Sequence, residues 1–240
     1  MIGTPRERAR AATMEEITRI GREHLALHGA AALSLRAVAR DLGVVSSAIY
    51  RYVASRDDLL TLLLVDAYGE LGDAVDAAVD GVPAERHRER FLALGRAVRG
   101  WAIAEPAPYA LLFGAPVPGY RAPEARTVEP GTRVPRRMIR IAADALAAGA
   151  LTAPAPALDA PVPAALAVGL DAVREQAGAD LPDDLLVRGV LAWSALFGCV
   201  SFEVFGQYGP DRLGDPDALF ERHLAVLADD LGLSAASSRP

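Results

Sequence analysis

The spacing of apolar residues between positions 34 and 60 restricts the fold of this chain more than any other feature. Four of them recur at intervals of three or four residues and therefore share one face of a helix: Leu35, Val38, Ala39 and Leu42. Ser34 stands before them at the N-cap position. Gly43 follows them and can adopt the positive φ of a tight turn without a steric penalty. The pattern predicts a short helix that ends in a turn of about three residues.

A second helix is predicted directly after this turn, from about Ser46 to Val53. Only Ile49 and Val53 share an inward face, so two tyrosines and an arginine point outward. Such side chains suit DNA, because hydroxyl and guanidinium groups can bind phosphates and base edges. The alternative is a small three-helix unit that merely carries tyrosines on its surface. The residues predicted to contact DNA are Ser34, Arg36, Ser46, Ser47, Ala48, Tyr50, Arg51, Tyr52 and Arg56.

Different roles are expected within this set. Tyr50 and Arg51 can reach base edges and should help to set sequence preference. Ser34 and Arg56 should mainly hold phosphates. The sequence Ser55-x-x-Asp58 is a capping-box variant, and it predicts the start of a long helix, from about 56 to 79. This helix would link the DNA-reading part to the remainder of the chain.

This stretch resembles the tetracycline-repressor (TetR/AcrR-like) family of bacterial transcriptional regulators. The resemblance covers about the first quarter of the chain and lies in Leu35-x-x-Val38-Ala39-x-x-Leu42-Gly43-Val44, Ala48-Ile49-Tyr50-Arg51-Tyr52 and Ser55-Arg56-Asp57-x-Leu59-Leu60. The family pattern has Ser or Thr where this chain has Val45, which leaves Ser46 as the candidate cap of the second helix. The resemblance implies a cytoplasmic homodimer that binds a palindromic DNA operator and is released by a small ligand.

The composition excludes several classes of enzyme. All 25 basic residues are arginine, so a phosphate-loop lysine, a Schiff-base lysine and a lysine general base are absent. The net charge of −6 divides into +2 over residues 1–60 and −8 over residues 61–240. Only the N-terminal part is therefore expected to face a phosphate backbone. No catalytic motif was found, and an enzyme is not expected.

Metal, cofactor and membrane sites are not expected either. His24 and His28 have a spacing that can chelate a metal, but no third ligand lies near them in the sequence. Cys199 is the single cysteine, so no disulfide framework exists and a reducing cytoplasm is the natural location. No apolar run follows the N-terminal arginines as in a signal peptide, and none reaches the ~18 residues that span a bilayer.

The sequence predicts an all-α protein with an N-terminal three-helix head and a larger helical C-terminal domain. The expected domains are a DNA-binding head over 1–55, a linking helix over 56–81, a ligand-binding and dimerisation domain over 82–233, and a disordered tail over 234–240. Residues 1–8 are also expected to be disordered. Further helices are predicted at about 8–28, 83–104, 109–113, 132–148, 164–177, 182–206 and from 215 onward. The proline-rich stretch 114–131 is expected to be irregular.

The helix predicted over 182–206 is apolar on almost every side between Val190 and Phe205. Such a helix must be covered all round, either within one protomer or by a two-fold partner. We expect a partner, because a single short recognition helix binds DNA weakly and dimers read two half-sites. The predicted dimer interface consists of Leu196, Val200, Val204, Phe220, Leu224 and Leu227.

The C-terminal part resembles one domain type of the same family, the WHG-like type. The resemblance lies in Pro108-Tyr109-x-x-Leu112-Phe113, Pro116-x-Pro118-x-Tyr120 and Trp193-x-x-x-Phe197-Gly198-x-x-x-x-Glu203. Phe197 stands where that pattern has His, so a ligand contact by that histidine is absent. A small apolar effector is expected in a cavity bordered by the linking helix, with candidate wall residues Trp101, Tyr109, Phe113, Met138, Trp193 and Phe197.

Two alternatives remain open from the sequence. The first is a helix-turn-helix regulator without a small-molecule effector, which an interior without room for a ligand would favour. The second is a helical adaptor that has kept the head only as a fold, which failure to bind DNA would favour.

Overall fold

The computed structural model describes residues 4–152, 162–211 and 213–233, and over these ranges the chain forms helices and no strand. The helices are α1 (Pro5–His28), α2 (Leu35–Asp41), α3 (Ser46–Ile49), α4 (Arg56–Asp80), α5 (His87–Ala104), α6 (Pro106–Phe113), α7 (Glu124–Gly131), α8 (Arg133–Ala147), α9 (Ala164–Ala177), α10 (Asp183–Val204) and α11 (Pro216–Asp230). A short 3-10 turn covers Ala30–Ala32. The predicted all-α fold is confirmed, whereas the predicted tail over 234–240 lies outside the described residues.

The chain divides into two compact units. The head unit contains the residues up to Glu70 together with Ala104–Gly131, and the body unit contains Leu71–Ile103 and the residues from Thr132 onward. Helix α4 runs through the division, with its first part in the head unit and its last part in the body unit. The sequence had placed residues 104–131 in the larger domain, whereas they pack with the head.

The head unit is held together by one apolar core. Its buried members come from α1, α2, α3 and α4 and from the segments between them: Ile17, Ile20, Leu33, Leu35, Val38, Ala39, Ile49, Val53, Leu59, Leu60 and Leu63. Leu111, Val117 and Tyr120 pack against the same core from the 104–131 segment. The hydroxyls of Thr61 and Tyr120 are 2.9 Å apart, which joins this segment to α4.

Helix α1 begins earlier than predicted, at Pro5 instead of about Arg8. Thr4 and Glu7 form a capping box: the Glu7 amide donates to Thr4 Oγ1 over 3.3 Å, and the Thr4 amide donates to Glu7 Oε2 over 2.7 Å. Pro5 occupies the first helical position, where its missing N–H costs nothing. The expectation of disorder over 1–8 is therefore wrong for the described residues 4–8.

Helix α7 was not predicted. The prolines and glycines of 114–131 suggested irregular structure, but most of them precede Glu124, and the helix includes Pro130 only in its last turn. The Thr127 hydroxyl donates to the Pro123 carbonyl over 3.1 Å. Pro130 lacks an N–H and so removes one hydrogen bond from the last turn, and the helix ends at the next residue.

The body unit is arranged around α10, which packs against α8, α9 and α11. One buried ion pair fixes α5 to this helix: Arg99 donates to both carboxylate oxygens of Glu203 over 2.7 Å. Arg99 also donates to Asp217 over 2.6 Å and lies 5.1 Å above the Phe220 ring. These bonds raise the pKa of Arg99, with that from Glu203 contributing most. The guanidinium therefore joins three helices of the unit.

Candidate DNA interface and effector cavity

The recognition segment consists of α3 and the turn 50–52 that follows it. Ile49 is fully buried and Val53 almost so, as the spacing predicted. Tyr50 and Arg51 are exposed, and 48% of Tyr50 is accessible to solvent. Nothing in the head core requires these outward side chains, so they are available to a partner surface.

The caps of α2 and α3 differ from the expectation. Val45 occupies the N-cap position of α3 without a side-chain hydrogen bond, and Ser46 is the first helical residue. The prediction that Ser46 caps this helix is therefore wrong, because the helix starts at Ser46 itself. Ser34 occupies the N-cap position of α2 but makes no side-chain cap bond. Ser34, Ser46 and Ser47 thus do not serve as caps.

The structure gives Arg56 a role that the sequence did not indicate. Its Nη2 donates to the carbonyls of Ala30 and Ala31 over 2.9 and 3.0 Å, and its Nε donates to Leu33 over 3.1 Å. The carbonyls of Ala30 and Ala31 belong to the 3-10 turn that leads into α2, and Leu33 follows that turn. The guanidinium therefore fixes the start of α4 to the entry of α2, and this placement argues against the predicted phosphate contact.

The start of α4 follows the predicted capping pattern in a modified form. The Asp58 amide donates to Ser55 Oγ over 3.0 Å. The Ser55 hydroxyl in turn donates to the Asp58 carboxylate over 3.0 Å, so the acidic side chain binds the hydroxyl and not the backbone amide of the cap.

His24 holds the end of α2 against α1. Its Nε2 lies 2.6 Å from Asp41 Oδ2, and only 8% of the residue is exposed. The hydrogen bonds from His24 and then Arg40 hold the pKa of Asp41 below its usual value. The His24 ring also meets the His28 ring edge-on, with centroids 5.9 Å apart. Among the described residues, no group of three His, Cys, Asp or Glu residues could hold a metal ion.

Arg22 of α1 is surrounded by a cluster of three acidic side chains. Arg22 donates to Glu70 over 2.7 Å, to Glu105 over 3.0 Å and to Asp66 over 3.2 Å. Burial raises the pKa of Asp66, against the opposing effect of Arg22. These contacts join α1, α4 and the residue that precedes α6 within the head unit.

A cavity of about 180 Å³ lies in the body unit between α8, α9 and α10. Its wall is mainly apolar, with Thr132, Arg136 and Gln176 as the polar side chains. The apolar lining includes Pro135, Met138, Ile139, Ala142, Val173, Leu181, Leu185, Leu186, Val190, Trp193 and Leu231. Gly189 also lines it, and a Cβ built on this glycine meets no atom within 4 Å.

This cavity is not the one that the sequence predicted. Met138 and Trp193 line it, but Trp101 and Phe197 do not, and no lining residue belongs to α4. Tyr109 and Phe113 lie in the head unit, where Tyr109 is fully buried and the two ring centroids are 5.0 Å apart. The prediction grouped large side chains by sequence, and the sequence did not show that the chain returns to the head after α5.

The predicted dimer residues lie mostly inside the protomer. Leu196, Val200 and Leu224 are fully buried, and Phe220 is 4% exposed. The two partial exceptions are Val204 and Leu227, which are half-buried. Helix α11 covers this side of α10, so the interface assignment to these residues is corrected.

The opposite side of α10 is exposed and apolar. Leu191, Phe202 and Phe205 are 57%, 50% and 40% exposed and recur at helical spacing. Ser194 and Gly198 lie between them, and a Cβ built on Gly198 meets no atom within 4 Å. By length and composition α10 could also cross a membrane, but the apolar core helix of a soluble protein has the same length and composition.

The all-α fold and the exposed recognition segment define a helix-turn-helix DNA-binding protein. The N-terminal model of the tetR family of bacterial regulatory proteins matches residues 17–63, and that of the tetracyclin repressor-like C-terminal domain matches residues 91–227. The HTH-type transcriptional regulator Rv1816 of Mycobacterium tuberculosis (strain ATCC 25618 / H37Rv) is 46% identical over 93% of this chain and 96% of its own length.

Solved structures agree with these matches. A crystal structure of SCO4313, described as a regulatory protein, has a TM-score of 0.74 and 35% identity, and the match covers 94% of this chain and all of that one. A bacterial regulatory protein in the tetR family from Rhodococcus RHA1 has a TM-score of 0.59 at 16% identity over 92% of this chain and 98% of that one, which shows the shared fold. The chain belongs to the tetR family of transcriptional regulators.

Proposed function

We propose that this regulator is a cytoplasmic homodimeric repressor, which a small and largely apolar ligand releases from a palindromic operator. Membership of the family supports DNA binding and transcriptional regulation, while repression, dimerisation and ligand release are the proposed part. The observation that carries the ligand is the apolar cavity between α8, α9 and α10.

The size of the cavity limits the effector. An apolar cavity of roughly 150 Å³ is enough to bind benzene. A space of about 180 Å³ therefore suits a compound with a single aromatic ring or a short branched chain. The lining includes the side chains of Arg136 and Gln176, which suit a ligand that carries one polar group on an apolar body.

The dimer is proposed through the exposed face of α10 and the neighbouring face of α11. Leu191, Phe202 and Phe205 would meet their counterparts around the small residues Ser194 and Gly198. Val226 of α11 is also apolar and exposed, at 64%, and is a further candidate for the interface. Two-fold pairing would cover the apolar side chains that one protomer leaves in water and would present two recognition segments to one operator.

The experiment that tests this function begins with DNA duplexes selected by the protein from a random-sequence library. Palindromic selected sites would support the homodimeric operator-binding protein, and failure to select any sequence would favour the adaptor. Single-ring aromatic compounds are then screened for release of the selected duplex, measured by fluorescence anisotropy.

A cavity-filling variant links release to the cavity. Gly189→Leu places a side chain in the cavity without a clash at Cβ, so it should abolish the response to any active compound. Gly100→Leu is the matched control, because Gly100 is also a helical glycine with open space at Cβ but does not line the cavity. Release that persists unchanged in Gly189→Leu would place the effector elsewhere, and the absence of any releasing compound would favour a regulator without an effector.

A further inference from the structure

The first turns of α1 continue the inward face of that helix beyond the head core. Ile17 is fully buried and Met14 packs against the core. Arg10 and Arg6 follow on the same side toward the N-terminus, at intervals of four residues. Arg8 lies about 160° around the helix from Arg10 and therefore points away from this face. The two arginines at positions 6 and 10 thus extend a core-facing stripe past the edge of the core.

Arg10, the first arginine of this stripe, contacts the end of the recognition segment. Its Nη1 donates to the backbone carbonyl of Arg51 over 3.4 Å, and its guanidinium carbon lies 5.3 Å from the centre of the Tyr52 ring. Both partners belong to the turn at the end of the recognition segment. Arg6 stands one helical turn further on, about 6 Å along the axis, and its side chain is exposed. It therefore projects beside the recognition segment.

Few arginines of the head remain available for phosphates. Arg19 and Arg22 are bound by glutamates, Arg40 by Asp41 and Arg56 by backbone carbonyls. Within residues 1–60, Arg10 is held by the Arg51 carbonyl, and four exposed arginines have no acidic partner among the described residues: Arg6, Arg8, Arg36 and Arg51. Because residues 1–60 have a net charge of only +2, each available guanidinium matters for the affinity for a polyanion.

We propose that Arg6 and Arg10 form a second DNA-contact surface, in which Arg10 braces the recognition segment and Arg6 binds a backbone phosphate of the same duplex. The proposed site consists of guanidinium side chains and not of the helix end, where Pro5 has no amide and the capping box satisfies the amides of Thr4 and Glu7. Such a contact carries no sequence information but fixes the orientation of the head on the duplex.

The test compares Arg6→Ala with Arg8→Ala, which removes the same charge from the opposite face of the same turns. The probe is a 40-bp duplex that the wild-type protein has selected from a random-sequence library, and its dissociation constant is measured between 50 and 300 mM KCl. Arg6→Ala should weaken binding several-fold and lower the magnitude of the salt slope by ~0.9 for each bound protomer. Arg8→Ala should leave the slope unchanged, and Arg6→Lys should restore it because a point charge can hold a phosphate.

Arg10→Ala should weaken binding as well, because the recognition segment loses its contact with α1. Arg6→Ala should unfold at the wild-type temperature, because the Arg6 side chain is exposed. Equal slopes for Arg6→Ala and wild type would overturn the proposal, as would an equal loss in Arg6→Ala and Arg8→Ala, which would indicate a general effect of charge. Failure of the wild-type protein to select any duplex would instead refute DNA binding itself, so the two failures are distinguishable.

Discussion

Gly198→Arg should convert the protein into monomers that remain folded. Gly198 lies in the middle of the exposed face of α10, and a Cβ at this position meets no atom of the protomer within 4 Å. The arginine side chain can therefore extend into solvent in a single protomer. Replacing a helical glycine also removes a cost of up to ~1 kcal/mol in helix propensity, so the protomer itself should not lose stability.

The effect on the dimer is large because the substitution occurs twice. In a two-fold interface each α10 would place an unpaired guanidinium against the apolar face of the other. A cost of even ~2 kcal/mol for each buried charge gives ~4 kcal/mol for the dimer, which is about a thousand-fold rise in the dissociation constant. A dimer with a nanomolar dissociation constant would then have a micromolar one, and it would be largely monomeric at a protein concentration of ~0.1 µM.

Sedimentation velocity and circular dichroism measure these two properties separately. Wild type should sediment as a dimer of the 25.2 kDa chain, and Gly198→Arg as a helical monomer. Gly100→Arg makes the same change at an exposed helical glycine of α5 and should remain dimeric. Val200→Arg should instead unfold the protein, because Val200 is fully buried in the protomer. If Gly198→Arg dimerises as tightly as wild type, the interface is not on this face.

Three further changes test single contacts of the head. Tyr50→Ala should change the consensus of DNA selected from a random library without lowering stability to urea, because half of this ring is already in solvent. Arg56→Ala should lower the free energy of unfolding by about 1–2 kcal/mol in urea, because three carbonyls lose their donor, and an unchanged stability would contradict that role. Asp41 has a lowered pKa in the folded state, so its contact with His24 stabilises the head at neutral pH and is lost as the pH falls through that folded value. Asp41→Asn should therefore flatten the pH dependence of unfolding below about pH 4.

The head could be predicted closely from sequence because its signals are local. The intervals between Leu35, Val38 and Ala39 required one helical face, and all three side chains are buried. Gly43 has a φ of 74°, the positive value that the predicted turn needed. The start of α1 was missed although Thr4 and Glu7 have the spacing of a capping box, so that signal was present in the sequence.

The body could be predicted only as a set of helices. Helix α10 is apolar nearly all round, so its periodicity could not show which side α11 covers. The structure resolves this: Leu224 approaches α5 so closely that a Cβ on Gly95 would lie 2.3 Å from its Cδ2. Long-range contacts of this kind decide which apolar residues form the core and which remain exposed, and no local pattern encodes them.

The cavity changes the expected route from ligand to DNA. The sequence suggested that α4 alone transmits the effect of the ligand to the head, but no cavity-lining residue belongs to α4. Thr132 lines the cavity at the start of α8, and the preceding residue, Gly131, ends α7 in the head unit. Arg126 of α7 lies 3.7 Å from Asp58 in the first turn of α4, the turn whose Arg56 holds the entry of α2. We therefore expect an effector that displaces the start of α8 to act on the DNA-binding helices through α7, with a coupling of ~1–3 kcal/mol that operates equally in both directions.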